Sequence, residues 1–286
     1  VGLGSGNLGT ALTTGTDNVA IGEASLDAVT TGSDNTAVGD NAAGATTTGV
    51  ENVAVGSSAL LVSTTGNYNT VVGAFALDAA VTGADNVAIG YNALTTSTVS
   101  YSTAVGTKAL AANTTGNANT AVGRRALEDN TTANYNVAVG NNALANNTTA
   151  ANNTAVGTDS LTTNTTGANN TALGYAALDA NTTAADNTAI GRDALGANTT
   201  GDQNTAVGST SMDATTTGRN NTAVGYTSLG ANTTGSNNTA MGINSIASNT
   251  TGDDNVGIGD GALYANTTAD NNTAVGKNAL NLNTTG

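Results

Sequence analysis

Short apolar groups recur along this chain at a fixed interval, and each group ends in a glycine. The consensus unit reads N-T-A-V-G-x-x-A-L-x-x-N-T-T-G-x-x, which is a period of 17 residues. The interval changes only twice, to 18 residues after the first glycine and to 16 between Gly90 and Gly106. The repeat glycines are Gly4, Gly22, Gly39, Gly56, Gly73, Gly90, Gly106, Gly123, Gly140, Gly157, Gly174, Gly191, Gly208, Gly225, Gly242, Gly259 and Gly276.

This pattern favours stacked β-structure over helix. No 3.6-residue period appears, and Gly, Asn and Thr recur where a helix needs strong helix formers. A unit this short buries its apolar side only by stacking on a neighbouring copy. The sequence therefore predicts an all-β fold, a parallel β-solenoid or β-roll of 17 rungs with a 17-residue period. We expect residues 1–286 to form a single repeat array.

Two apolar columns of the repeat are candidates for the core. The residue before the glycine is aliphatic or Met in all seventeen copies, and Leu follows the glycine by four residues in fourteen. Side chains alternate between the faces of a strand, so the first column shares its face with the Thr or Val two residues earlier. We predict a core of Val38, Val55, Ile89, Val122 and Val139 together with Leu60, Leu77, Leu127 and Leu144.

An asparagine column precedes the glycine by four residues. Asn occupies this position in fifteen of the sixteen copies that contain it, and Ser102 replaces it in the other. Identical Asn side chains that stack in register hydrogen-bond to one another along the column. We predict such a ladder through Asn119, Asn136, Asn153, Asn170 and Asn187.

An alanine column lies two residues before the glycine, in fourteen of seventeen copies. Alternation places it on the strand face opposite the predicted aliphatic core, so we expect it to point outward. An outward column that stays small and apolar favours close contact with another chain. We predict self-association, as a homotrimer or another homo-oligomer, through Ala121, Ala138, Ala155, Ala172 and Ala189.

Composition and charge narrow the classes of function. The net charge of −14 and six scattered basic residues exclude a surface that binds the nucleic-acid backbone. The chain has no Cys or His, which excludes disulfides and thiolate metal sites. No apolar run is long enough to insert into a membrane. The sequence starts at Val1 within a repeat and stops at Gly286, so we interpret it as a fragment of a longer protein.

Candidate chemistry is sparse, and we predict neither an enzyme nor a bound cofactor. The Ser, Asp and Lys residues occupy mostly variable positions, which leaves no constellation for nucleophilic or acid–base catalysis. Asp17, Asp34 and Glu51 share a column five residues before the glycine. These carboxylates are either solvated acids at an exposed edge or, as an alternative, ligands of Ca²⁺.

Two further groups of residues invite functional interpretation. Ten Asn-Thr-Thr triplets match the N-glycosylation pattern, although turn chemistry alone accounts for them. They begin at Asn113, Asn130, Asn147, Asn164, Asn181, Asn198, Asn232, Asn249, Asn266 and Asn283. The tyrosines occupy variable positions and are candidate contacts for a partner: Tyr91, Tyr175 and Tyr226 follow the glycine, and Tyr68, Tyr101 and Tyr135 precede the Asn column.

The NVAIG segments at 18–22 and 86–90, with the many NTAVG copies, resemble the repeat signature of the YadA-like heads of trimeric autotransporter adhesins. The resemblance covers the whole chain. It implies a left-handed parallel β-roll, three chains side by side and display at a bacterial surface, where such heads bind host matrix, cells or abiotic surfaces. Similar repeats occur in phage tail fibres. The 17-residue period is longer than is usual for those heads, and their neck, stalk and membrane anchor are absent from this sequence.

Four functions are compatible with these patterns. The first is a structural or adhesive extracellular fibre segment, displayed at the cell surface as an adhesin head or shaft, with an unknown host or surface ligand. The second is the shaft of a phage or injection-machine tail fibre. The third is an extracellular filament that assembles end to end through uncapped strand edges. The fourth is an ice-binding solenoid that uses the Thr-Thr pairs.

Overall fold

A computed structural model describes residues 2–3 and 11–284 of the chain. The chain divides into two compact units, Val1–Val139 and Gly140–Gly286. Both units are built from short parallel strands joined by turns, and no helix occurs among the described residues. The predicted fold class is confirmed: the protein is an all-β parallel β-solenoid with a 17-residue period. The repeat glycine Gly4 lies outside the described residues.

Each described coil contributes one strand, which ends at the residue before the repeat glycine. The first unit contains β1 Gly2–Leu3, β2 Val19–Ile21, β3 Thr36–Val38, β4 Val53–Val55, β5 Thr70–Val72, β6 Val87–Ile89, β7 Thr103–Val105, β8 Thr120–Val122 and β9 Val137–Val139. The second contains β10 Thr154–Val156, β11 Thr171–Leu173, β12 Thr188–Ile190, β13 Thr205–Val207, β14 Thr222–Val224, β15 Thr239–Met241, β16 Val256–Ile258 and β17 Thr273–Val275.

Within each unit, every strand pairs in parallel with the strand of the next coil. The register matches equivalent positions: Thr154 is opposite Thr171, and Ala155 is opposite Ala172. The 16-residue coil keeps this register, because Val87 pairs with Thr103 and Ile89 with Val105. The turn that precedes β7 is therefore one residue shorter than in the 17-residue coils.

The alanine column points into the coil. The prediction that the opposite face of the strand points inward is therefore wrong. Ala121, Ala138, Ala155, Ala172 and Ala189 are fully buried, so they are not an exposed interchain strip. The aliphatic column before the glycine points outward and is not core. Val38, Val55 and Val139 are half-buried, and Ile89 and Val122 are each 37% exposed.

The physical reason is the small width of the coil interior. Gly257 occupies the alanine column, and a Cβ atom built there meets the side chain of Ile246 at 2.6 Å. Ile246 belongs to the column that is usually Leu, so the alanine column packs directly against the leucine column. A buried Leu on one wall leaves room for little more than a methyl group on the other, since interiors pack densely.

The leucine column forms the predicted part of the core. Leu60, Leu77, Leu127 and Leu144 are fully buried. Their backbones adopt the left-handed conformation, with φ of 55°, 44°, 52° and 52° respectively. Such values are uncommon outside glycine and cost about 1–2 kcal/mol per residue. Burial of the Leu side chain in every coil offsets that cost.

The repeat glycine is required for two reasons, which Gly174 illustrates. Its φ is 143°, a value that residues with a side chain rarely adopt. A Cβ atom at this position also lies 2.4 Å from the carbonyl oxygen of Gly191 in the next coil. The close stacking of coils therefore excludes every other residue.

The asparagine column forms a buried hydrogen-bonded ladder within each unit. In the second unit, the Asn170 backbone N–H donates to Oδ1 of Asn153 at 2.9 Å, and the Asn187 N–H donates to Oδ1 of Asn170 at 3.0 Å. The Nδ2 group of Asn170 donates to the carbonyl of Ala184 at 2.8 Å. In the first unit, the Asn136 N–H donates to Oδ1 of Asn119 at 2.9 Å. All five predicted ladder residues are fully buried.

A second asparagine ladder lies at the first residue of the Asn-Thr-Thr triplets. Asn181 Nδ2 donates to Oδ1 of Asn164 at 2.8 Å and to the carbonyl of Ala184 at 3.1 Å. The regular spacing of these triplets is a signal for stacking, although their composition is also typical of a turn. The fully buried members are Asn113, Asn130, Asn147, Asn164, Asn181, Asn198, Asn232, Asn249 and Asn266.

We predict that Asn170→Ala lowers the free energy of unfolding by about 2 kcal/mol, because it leaves the buried N–H of Asn187 without its acceptor and removes one of the two amide donors to the carbonyl of Ala184. Asn146→Ala is the matched control, since Asn146 is half-buried and Ala occupies its column in other coils. Urea unfolding followed by circular dichroism measures both variants. Equal effects of the two substitutions would contradict a structural role for the ladder.

The first ladder is interrupted at Ser102, and this position offers a gain of stability. Among the described residues, Oγ of Ser102 is one of the few buried side-chain oxygens without a hydrogen-bond partner. Ser102→Asn restores an acceptor below Asn119, so we expect stabilisation of about 1 kcal/mol. Thermal unfolding checks this, and a lower unfolding temperature would show that the shortened coil does not accept the amide.

Candidate interaction surfaces

The most extensive functional candidate is the outer sheet face, which we define as the first and third residues of strands β2–β17. In every one of these strands the middle residue is buried and the flanking residues are half-buried or exposed. The first residue is Thr in eleven strands and Val in five, and the third is always aliphatic or Met. Each unit therefore presents an uncharged sheet with one apolar and one Thr/Val column.

The exposure of the apolar column is high for side chains of this type. Ile21 is 40% exposed in the first unit, and Leu173 and Met241 are 46% and 42% exposed in the second. The residues repeat once per coil, which is about 4.8 Å along the solenoid axis. Exposed apolar residues that line up in this way form a continuous patch, and such patches mark sites of association.

The Thr-Thr pairs do not form a flat two-column array. In most pairs the first Thr is half-buried, although some, such as Thr114 and Thr267, are exposed. Its hydroxyl donates to the backbone of the next coil, as from Thr165 to the carbonyl of Thr182 at 3.0 Å. The second Thr, such as Thr166, is exposed at the turn. Because one hydroxyl is used inside the structure, these pairs present a single exposed column.

The acidic residues Asp17, Asp34 and Glu51 occupy one exposed column, with left-handed backbones at φ of 58°, 60° and 55°. Throughout the described residues, no three His, Cys, Asp or Glu side chains are grouped closely enough to hold a metal ion. Asp17, Asp34 and Glu51 are therefore not grouped as a set of metal ligands. Asp is common at such positions because its short side chain tolerates the left-handed conformation.

Nine of the ten triplets that match the glycosylation pattern have an Asn that is not accessible for modification in the folded coil. From Asn113 to Asn266 their Asn side chains are fully buried. Their amides are engaged in the second ladder, where Asn249 Nδ2 donates to Oδ1 of Asn232 at 2.9 Å. Attachment of a sugar at these nitrogens requires the ladder to open.

Three carboxyl groups at the turns have pKa values that differ from the usual ones. Burial raises the pKa of Asp179 and of Asp213 above the usual Asp value, and the neighbouring Asp193 raises both further. Burial also acts on Glu128, but its contacts with Arg125 and Lys108 prevail and lower its pKa. The Lys108 Nζ lies 3.3 Å from a Glu128 carboxylate oxygen on the next coil.

The tyrosines are exposed, as their variable positions suggested. Tyr91 also contacts Phe75 of the preceding coil edge-on, with ring centroids 6.2 Å apart. The exposed fractions are 51% for Tyr68 and Tyr91, 68% for Tyr101, 65% for Tyr135, 55% for Tyr175 and 57% for Tyr226. These rings are the largest apolar groups that the turns present to solvent.

No family model and no curated protein matches this chain. Within the described part of the chain, no helix has the length and apolar character that a membrane crossing requires.

The shifted carboxylates predict an unusual response to acid. A raised pKa in the folded state means that ionised Asp179 and Asp213 cost stability at neutral pH, and this cost disappears as the pH falls below the unfolded value of about 3.9. We expect Asp179→Asn with Asp213→Asn to raise the unfolding temperature at pH 7 and to have no effect near pH 3.5.

Glu128→Gln is a control for which we expect the opposite change in unfolding temperature at pH 7. The lowered pKa of Glu128 contributes stability above the unfolded value of about 4.3, which is lost as the pH falls through the folded value. This variant should melt at a lower temperature at pH 7. Thermal unfolding from pH 3 to 7 tests both expectations, and a double Asn variant less stable than the parent at pH 7 would refute the first.

Proposed function

We propose that this chain is a structural segment of an extracellular fibre whose copies associate through the outer sheet face. The observation that carries the proposal is the outward aliphatic or Met residue, half-buried or exposed, at the same position of every strand from β2 to β17. A solvent-facing column that stays apolar in each copy of the repeat favours burial against a partner. The resemblance to the YadA-like heads supports a surface-displayed adhesin head or shaft. The shaft of a tail fibre, which would have the same architecture, is the alternative.

A second copy of the chain is the partner that fits this face. The apolar column recurs once per coil, so a partner with the same rise keeps its side chains in step over many coils. Another copy meets that requirement without any further adaptation. Its face also carries no charged residue in β2–β17, so close approach does not bury an unpaired charge. Three copies are what the family resemblance implies.

Ice binding through the outer sheet face, and not through the Thr-Thr pairs, is the second candidate. The outer sheet face has a Thr-rich column beside the aliphatic column, both outward on an extended parallel sheet. A regular array of Thr and aliphatic groups suits ordered water only if the face stays free of protein. The two candidates therefore predict different oligomeric states.

We expect the protein to sediment as a stable oligomer, and Ile190→Lys with Met241→Lys to convert it to folded monomers. Each substitution places a charge in the apolar interface, and a loss of at least about 1.4 kcal/mol per site weakens association tenfold. Sedimentation equilibrium gives the mass, and circular dichroism verifies that the coil remains folded.

The matched control is Thr200→Lys with Thr251→Lys, which adds the same charges three coils apart on the exposed turn. This variant should remain oligomeric. A parent chain that is monomeric at all concentrations would overturn association through the face. Thermal hysteresis of that monomer, abolished by the Ile190 and Met241 substitutions, would favour ice binding instead.

A further inference from the structure

Three exposed tyrosines of the first unit lie in a single column at the turn that precedes the Asn column. Tyr68, Tyr101 and Tyr135 occupy every second coil, with Asp85 and Ala118 on the coils between them. Two coils correspond to about 9.6 Å along the axis. We name these three residues the tyrosine line.

The backbone holds the tyrosine line in register. All three residues are left-handed, with φ of 59°, 64° and 60°. Each backbone N–H donates to a carbonyl of the preceding coil: Tyr68 to Val50 at 3.1 Å, Tyr101 to Ala84 at 3.2 Å and Tyr135 to Asn117 at 3.2 Å. The spacing of the rings therefore follows from the ladder of the solenoid and does not depend on a flexible loop.

Polar groups flank the rings. Asn67 and Asn134 precede Tyr68 and Tyr135 directly, and the Oδ1 atom of each accepts a backbone N–H from the preceding coil. Their amide groups are thereby fixed beside the line, and the exposed carboxylate of Asp85 lies between the first two rings. A ligand here meets evenly spaced apolar platforms with amide donors and a carboxylate acceptor at their sides.

We propose that the tyrosine line binds an extended, neutral β-1,4-linked glycan, with one ring under each disaccharide. Such a chain presents the same sugar face once per disaccharide, because successive sugars are turned over, and the two-coil spacing of about 9.6 Å is comparable to the length of one disaccharide. Aromatic faces pack against the apolar C–H face of a sugar, and the flanking amides and carboxylate bond to its hydroxyls. The net charge of −14 disfavours anionic polysaccharides. This proposal is independent of association through the outer sheet face, which lies in other columns.

The test measures depletion of the intact chain from solution by regenerated cellulose and by chitin beads. Insoluble β-1,3-glucan is the geometry control, because its disaccharide units do not repeat at this interval along an extended chain. We expect binding to cellulose, chitin or both, and at least about tenfold weaker binding for Tyr101→Asn. Asn is native to this column at Asn152 and Asn169 with the same left-handed backbone, so the substitution keeps the fold.

Two variants distinguish the effect of the spacing between the rings from non-specific adsorption by exposed tyrosines. Asp85→Tyr with Tyr101→Asp retains three rings but moves the middle ring by one coil, and it should lose binding as Tyr101→Asn does. Tyr175→Asn with Tyr226→Asn removes two rings of another column and should leave binding unchanged. The proposal is overturned by absence of binding to both β-1,4-glycans, by equal binding to the β-1,3-glucan, or by full binding of the displaced variant.

Discussion

The hydrogen bonds that join one coil to the next are the interaction on which the rest of the structure depends. Strands of three residues are far too short to persist alone, and each gains its partners only from equivalent residues above and below. Because a coil is completed by its neighbours, its backbone has to repeat closely at every position. The glycine that touches the next coil and the left-handed residues at the turns follow from that requirement.

Buried amides extend this principle from the backbone to the side chains. An Asn side chain both accepts and donates, so a column of them satisfies itself from coil to coil and also caps carbonyl groups of the turn. Asp in the same column would place like charges a few ångströms apart in a poorly solvated interior, and Ala would leave the backbone donors unpaired. Two such ladders and a wall of Leu stabilise a coil whose interior admits little more than alanine on the other side.

The same constraint shapes what the protein presents to its surroundings. Among the described residues, surface chemistry appears as columns with the rise of the coil. The outer sheet face combines an apolar with a Thr-rich column, and the tyrosine line sets aromatic rings at every second coil. Partners with their own regular repeat, such as another copy of the chain or an extended glycan, suit these arrays because their contacts stay in step.

The sequence by itself determined the period, the fold class, the parallel register, the Leu core and the first Asn ladder, because each depends only on which residue recurs at which interval. Strand alternation also showed that Ala121 and Val122 face opposite sides. It did not decide which side is the interior, and the usual association of Val with the core led to the wrong choice. Only the tertiary structure decided this, since the narrow space opposite the Leu wall, as between Gly257 and Ile246, accepts Ala and excludes Val from most coils. The second Asn ladder was settled in the same way, because the turn directs Asn181 inward only when the coils are stacked.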